Sequence, residues 1–265
     1  MIQWYPNMRK LISFVALALV ACNSAPAPKA TPNVAPSTAP SAVASAAPSV
    51  APSATAAQPS AVADAGDPLE AEAKAQWEKD QHIDIVYVPT PQKVVDKMLD
   101  VAKVTSSDVV YDLGCGDGRI VVASAKRGAK AVGFDIDPKR VAEARGHVSS
   151  AGVGANATIR WANVFSVDLQ PATVVMLYLL PELNVRLIPQ LEKLRPGSRI
   201  VSHDFDMKGV TPDAEFTVTA PEFVNGEGYS AYKGEGVAED PKNYAQRTHR
   251  IYLWTIPLKK TPVKP

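Results

Sequence analysis

Val109-Val-Tyr-Asp-Leu-Gly-Cys-Gly-Asp-Gly-Arg-Ile120 is the stretch that decides how this chain folds. An apolar, β-favouring run leads into Asp112, and Gly114, Gly116 and Gly118 follow at every second position. Glycines there let the backbone turn sharply and approach a ligand where any Cβ would collide. Amides at the start of the next helix would face that ligand. A tight strand-to-helix turn could use the same glycines, but two features point to a ligand. The spacing is G-x-G-x-G with an acid two residues before the first glycine, whereas dinucleotide-binding turns use G-x-G-x-x-G. Asp112 would repel a pyrophosphate and suit a cationic ligand. About 20 residues after the loop a second strand closes on Gly133-Phe-Asp135, where a carboxylate can accept both hydroxyls of a ribose. Asp137, followed by Pro138, reads instead as the N-cap of the next helix.

Outward from this stretch, short β-rich runs alternate with helical patterns. The runs are Val109–Tyr111, Ala131–Phe134, Thr158–Trp161, Val174–Tyr178 and Arg199–Ser202; the helices are Arg119–Lys126, Pro138–Ser149 and Pro181–Leu194, the last with Pro189 inside it as a place to kink. This rhythm predicts an α/β, three-layer sandwich with a mostly parallel sheet covered by helices on both faces. Glu215–Thr219 and His249–Ile256 read as an antiparallel pair that completes seven strands, with a Gly-rich polar stretch from Asn225 to Gln246 between them. Two helices precede the first strand. Asp67-Pro68 opens a short acidic one, and Thr90-Pro91 a second, with Val94, Val95, Met98, Leu99 and Ala102 on one face.

The amino-terminal part of the 265-residue chain is of another kind. Arg9 and Lys10 precede an apolar run, Leu11 to Val20, of about ten residues, too short to span a bilayer and suited to a secretory signal. Many of the 23 prolines lie between Asn23 and Gly66, a stretch rich in Ala, Pro, Ser and Thr that cannot bury enough apolar surface to fold. The expected organisation is a signal over 1–22, a disordered tether over 23–66 and one domain over 67–265. The formal net charge is +1, and removing the three cations and one anion of the first 66 residues leaves −1. A basic nucleic-acid footprint is therefore not visible, and no nucleic-acid partner is expected. With two cysteines, at 22 and 115, neither a disulfide framework nor a metal site is expected. Cys115, inside the glycine turn, reads as merely small, and Trp161 and Trp254 as core.

The segment Asp-Leu-Gly-Cys-Gly-Asp-Gly-Arg together with Gly-Phe-Asp-Ile-Asp-Pro resembles the S-adenosylmethionine (SAM)-dependent methyltransferases of the seven-strand, Rossmann-like class. The resemblance covers roughly Tyr87 to Pro257. Within the class the chain is most similar to small protein-lysine methyltransferases of archaeal and mitochondrial type. It shares Val88-Pro-Thr-Pro91, Gly116-Asp-Gly-Arg119 and a proline, Pro181, after strand four. The resemblance implies SAM as cofactor, with Gly114, Gly116 and Gly118 lining its methionine part, Asp112 holding its amino group and Asp135 taking the ribose hydroxyls. Asn163 stands where many members place an Asp for the adenine amine, and its amide oxygen can accept the same bond. Strand four ends in Tyr178-Leu-Leu-Pro181, not in the Asn/Asp-Pro-Pro-aromatic motif of many amine methylases, which argues against a nucleic-acid base as acceptor. Leu19-Val-Ala-Cys22 resembles the bacterial lipoprotein signal, which implies lipid on Cys22 and a place in the cell envelope, the outer membrane or the periplasmic face.

Methyl transfer from a sulfonium needs an aligned nucleophile and little else from the protein. Tyr178, His203 and Asp204 fall at the carboxyl edge of the sheet, where ligands bind, and are the expected catalytic residues. Tyr178 could equally be a core aromatic, and His203 with Asp204 a strand-end pair. Thr90 reads either as a contact to the cofactor's carboxylate or as an ordinary helix N-cap. The expected acceptor is an amine, a protein lysine or a small molecule. The alternatives are an exported protein that binds SAM or a nucleoside without turnover, and nicotinamide-dependent oxidation.

Overall fold

The computed structural model describes residues 67–80, 87–223 and 244–261. The signal, the tether and most of the stretch from Asn225 to Gln246 lie outside the described residues. Two helices, α1 (Pro68–Asp80) and α2 (Gln92–Val101), precede β1 (Val109–Leu113). Then follow α3 (Arg119–Lys126), β2 (Lys130–Asp135), α4 (Pro138–Ser150), β3 (Ala157–Trp161), β4 (Val174–Leu177), α5 (Pro181–Leu191) and β5 (Arg199–His203). The chain ends with β6 (Val210–Thr211), β7 (Ala214–Phe223), β8 (Tyr244–Thr255) and β9 (Lys259–Lys260).

Seven strands form one sheet in the order β3-β2-β1-β4-β5-β8-β7, and β6 pairs with β9 in a small second sheet. Pairs from β3 to β5 are parallel, while β8 runs antiparallel to both its neighbours. The expected seven-stranded, mostly parallel α/β sandwich is thus the observed one. Strand alternation sorts its core into two layers. Val110 and Met176 face one layer with Val94, Met98 and Val121 of the helices α2 and α3. Tyr111, Leu113, Val175 and Leu177 face the other, with Leu183, Leu187 and Leu191 of α5. Asp112 shares the α2–α3 side with Val110, an acid where an apolar residue would pack.

Differences from the sequence expectations have local causes. Thr90 does not cap α2: the N-cap is Pro91, without a side-chain cap bond. Asp137 does cap α4, accepting from the Lys139 amide at 2.8 Å. The helix α5 stops at Leu191 rather than Leu194, two residues past Pro189, whose missing N–H leaves the preceding turn one bond short. Strand β7 runs on to Phe223 and β8 begins at Tyr244, both beyond the expected bounds; residues 245–248 of β8 are exposed, so no burial pattern marks them. Among the described residues no helix is long and apolar enough to cross a membrane.

Leu177 is fully buried in the central strand β4. Leu177→Ala is expected to cost about 2–5 kcal/mol of folding stability, read by urea unfolding; a loss well under about 1 kcal/mol would contradict the packing described here.

Candidate active site

The strand order reverses between β1 and β4, and at such a point the two following loops diverge and leave a crevice at the carboxyl edge. A cavity of about 660 Å³ lies there, within the usual size of a ligand site. The Val88-Pro-Thr90 segment walls one side, the loop after β1 the floor, and Leu179, Leu183 and Phe165 the apolar far side.

Two of the loop glycines explain its shape. Gly116 has φ +54, and a Cβ there would sit 2.2 Å from Cε2 of the Tyr87 ring. Gly118, at φ +78, N-caps α3, and its Cβ would press within 2.9 Å of Ala144 Cβ on α4. Both serve close packing and lie off the cavity wall, whereas Gly114 lines it beside Leu179. Arg140 stacks its guanidinium 4.4 Å from the Tyr87 ring centroid, holding that ring over the loop.

The acids divide by their partners. Asp112 is 3% exposed, and its buried Oδ2 has no hydrogen-bond partner. Burial, then the nearby Asp135 and Asp117, push its carboxyl well above the usual range. Asp135 is anchored by backbone: Oδ2 accepts from the Gly116 amide at 2.8 Å and Oδ1 from the Asp137 amide at 2.9 Å. Burial still lifts it to about 6, against those two bonds. Asp117 does not share this behaviour. Burial would raise it, but Arg119, its partner at 2.7 Å, outweighs burial and holds it below the usual value. Arg119 also donates to the Thr90 carbonyl at 2.8 Å, tying the cavity wall to the loop. Asn163 reaches the cavity with its oxygen accepting from the Phe165 amide at 3.0 Å and its nitrogen donating to Gln76 of α1 at 2.8 Å. A carbonyl oxygen retains a second lone pair.

Of the expected catalytic residues, Tyr178 lines the cavity and His203 and Asp204 do not. Burial is the reason: His203 is 0% exposed beneath the Tyr178 ring, at 3.9 Å between centroids, with Phe205 stacked on Tyr178 at 5.9 Å. Its Nδ1 lies 3.3 Å from Thr90 Oγ1, and its Nε2 lies 2.9 Å from His249 Nδ1 and 3.2 Å from Asp204 Oδ2. Asp204, at φ +60, is clamped by the Arg250 amide at 2.9 Å and by Arg247 at 2.7 Å. Burial lowers His203, with Asp204 opposing. For Asp204 burial acts upward, and the adjacent His203, then His249, drive it far below the usual carboxylate range. His203, Asp204 and His249 are a group of metal-capable side chains that spacing along the chain does not reveal. Arg247 already occupies the carboxylate oxygen that a cation would need.

His249, Tyr87 and Arg140 are the members of this region that no sequence motif singles out. His249 carries one usable signal, its place two residues before Ile251 on the inward face of β8, where both are fully buried.

Residues 112–214 match the model of the ANTKMT methyltransferase domain. A protein-lysine N-methyltransferase of Saccharolobus islandicus is 50% identical over 131 residues, 48% of this chain and 81% of that protein. The adenine nucleotide translocase lysine N-methyltransferase of Mus musculus is 31% identical over 134 residues, 50% of this chain and 58% of that protein. Among solved structures, an RNA methyltransferase from Salinibacter ruber in complex with S-adenosyl-L-homocysteine has a TM-score of 0.52 and 41% identity, over 67% of this chain and 98% of that one.

Asp112 supplies a test of the site that needs no ligand. Its folded pKa lies above the ordinary 3.8, so the folded state binds more protons than the unfolded one and stability falls as pH rises through that window. Asp112→Asn is expected to raise the melting temperature at neutral pH by a few degrees and to change it little below pH 3.8. Equal effects at both pH values, or a loss of stability confined to neutral pH, would contradict the raised carboxyl.

Proposed function

The chain belongs to the SAM-dependent methyltransferases of the seven-strand, Rossmann-like class, and from that membership we propose that it methylates the side-chain amine of a protein lysine. The observation that carries the acceptor is the 50% identity to the archaeal protein-lysine N-methyltransferase. The Salinibacter relative is described as acting on RNA, and two features favour a protein here. The strand-four edge, Tyr178-Leu-Leu-Pro181, has no amide or carboxylate to grip a base edge, and a net charge of −1 beyond residue 66 offers no excess of cations for phosphates.

When bound, SAM supplies a methyl group made electrophilic by its sulfonium. The residues present fit it. Asp112, a buried carboxylate with an unpartnered oxygen at the cavity floor, suits an ammonium group that would complete its bonding. Asp135 would accept the ribose hydroxyls, its two oxygens already aligned by the Gly116 and Asp137 amides. Asn163 would accept from the adenine amine through its remaining lone pair, and the Gly114 backbone would lie along the methionine part.

On the acceptor side Tyr178 faces the cavity beside Leu179, Leu180 and Phe205. Aromatic faces attract an ammonium, while apolar walls disfavour its charge and promote loss of the proton that blocks the nitrogen lone pair. Exclusion of water then keeps the amine the best nucleophile present. Leu11 to Cys22 and the Pro-rich stretch after it support the further proposal that lipid on Cys22 tethers the enzyme to a bacterial envelope membrane.

Purified protein given methyl-labelled SAM and a bacterial protein extract is expected to place label in methyl-lysine after hydrolysis, and none in added RNA. Label in RNA alone would overturn the lysine reading. Asp135→Ala is expected to weaken SAM binding by about 10-fold or more, as loss of charge-assisted bonds does, seen by calorimetry. Mass spectrometry of the native protein should find a diacylglyceryl group on Cys22; an unmodified residue there would refute the tether.

A further inference from the structure

We infer that Thr90, His203 and Asp204 form a relay that draws a proton from the acceptor amine, with Thr90 Oγ1 as its end in the cavity; the inference rests on the amine reading above. His203 is sealed from the cavity, so it cannot touch an acceptor itself. Among the described residues Thr90 both lines the cavity and reaches the imidazole, with Oγ1 at 3.3 Å from Nδ1. Its hydroxyl is not spent on capping α2, because Pro91 holds that position. Its backbone is fixed by Arg119, which donates to the Thr90 carbonyl and is itself gripped by Asp117.

The direction of the relay follows from which groups can only donate or only accept. An ionised carboxylate can only accept, and Asp204 Oδ2 lies 3.2 Å from His203 Nε2 and 3.4 Å from His249 Nδ1. These two nitrogens are 2.9 Å apart, so one carries a proton and the other accepts it, and His203 Nε2, the nearer to the carboxylate, carries it. A neutral imidazole protonated at Nε2 is bare at Nδ1, and the Thr90 hydroxyl therefore donates to it. In this scheme the oxygen lone pairs of Thr90 serve the acceptor, from a residue that lines the cavity.

With an ammonium at that oxygen the transfer balances. The amine N–H bond breaks as a Thr90 O–H bond forms, and the former hydroxyl proton passes to His203 Nδ1. The resulting imidazolium keeps its Nε2–H on the ionised Asp204, which Arg247 and the Arg250 amide hold in place. After the methylated product leaves, water entering the cavity takes the proton back through Thr90. The charged and titratable groups around the ring are Asp204, Arg247, His249 and Tyr178, whose ring lies over it, with Arg119 beyond the Thr90 carbonyl. Thr90 touches the acceptor and is catalytic in this scheme; His203 and Asp204 act through it and are positioning residues.

The test uses the full chain, poly-L-lysine as acceptor and Thr90→Val, with Thr90→Ser as the conservative variant. At pH 7 Thr90→Val is expected to lower kcat about 100-fold, the lower end of general-base effects. Its rate should climb with hydroxide and approach wild type near pH 9.5, with KM for SAM unchanged and Thr90→Ser restoring the profile. Ring nitrogen NMR of the ligand-free wild type at pH 8 should show His203 protonated at Nε2 and bare at Nδ1. A proton on Nδ1, or profiles for Thr90→Val and wild type that run parallel across pH, would overturn the relay. Wild type that leaves poly-L-lysine unlabelled overturns instead the amine reading on which the relay stands.

Discussion

A carboxylate with no partner, buried where two parallel strands part, is the constraint from which the rest of this protein follows. Asp112 ends in a position its strand neighbours would fill with an apolar side chain, and one of its oxygens meets nothing. Such a group is costly to bury unless something cationic arrives. The glycines after it bring the chain back so tightly that Gly116 lies under the Tyr87 ring and Gly118 against α4. That turn in turn delivers the Gly116 amide to Asp135, so that the second acid is aimed by the same loop that exposes the first.

The cavity is polar along the β1–β2 side and apolar beyond β4, and this asymmetry fits a cofactor that is ionic at one end and an acceptor that must shed its charge. Leu179 and Leu180 lead from β4 into α5, and Tyr178 stands between them and the sealed histidine. Burial of His203 removes it from direct contact but fixes its ring among Thr90, His249 and Asp204, which a solvated histidine could not achieve. Asp204 holds a backbone angle of φ +60 that a non-glycine residue adopts reluctantly; its two bonds to the Arg250 backbone and the Arg247 clamp stabilise it there.

Most of the parallel half of the sheet was legible in the sequence, because its strands are short, apolar and bounded by caps such as Asp137 or by glycines. The antiparallel end was less so. The polar first half of β8 and the two-residue strands β6 and β9 bury too little to leave a pattern. The cofactor-side acids could be read because glycine spacing and strand ends are local signals. Whether His203 faced the cavity could not: that depends on the Tyr178 ring lying over it and on His249, 46 residues away in sequence. Thr90 shows the same limit, since a cap-like Thr-Pro pair and a cavity-lining hydroxyl look identical until the start of α2 is fixed.

The ligand-free protein carries two acids whose protonated forms are favoured by burial, one of them near 6. A cation paired with Asp112 must displace its proton. The most direct measurement is calorimetry of SAM binding at pH 6 in buffers of different ionisation enthalpy. If Asp112 receives the ammonium, binding releases protons in the wild type and markedly fewer in Asp112→Asn. Binding with the same proton count in both proteins would contradict the pairing of that carboxylate with the cofactor.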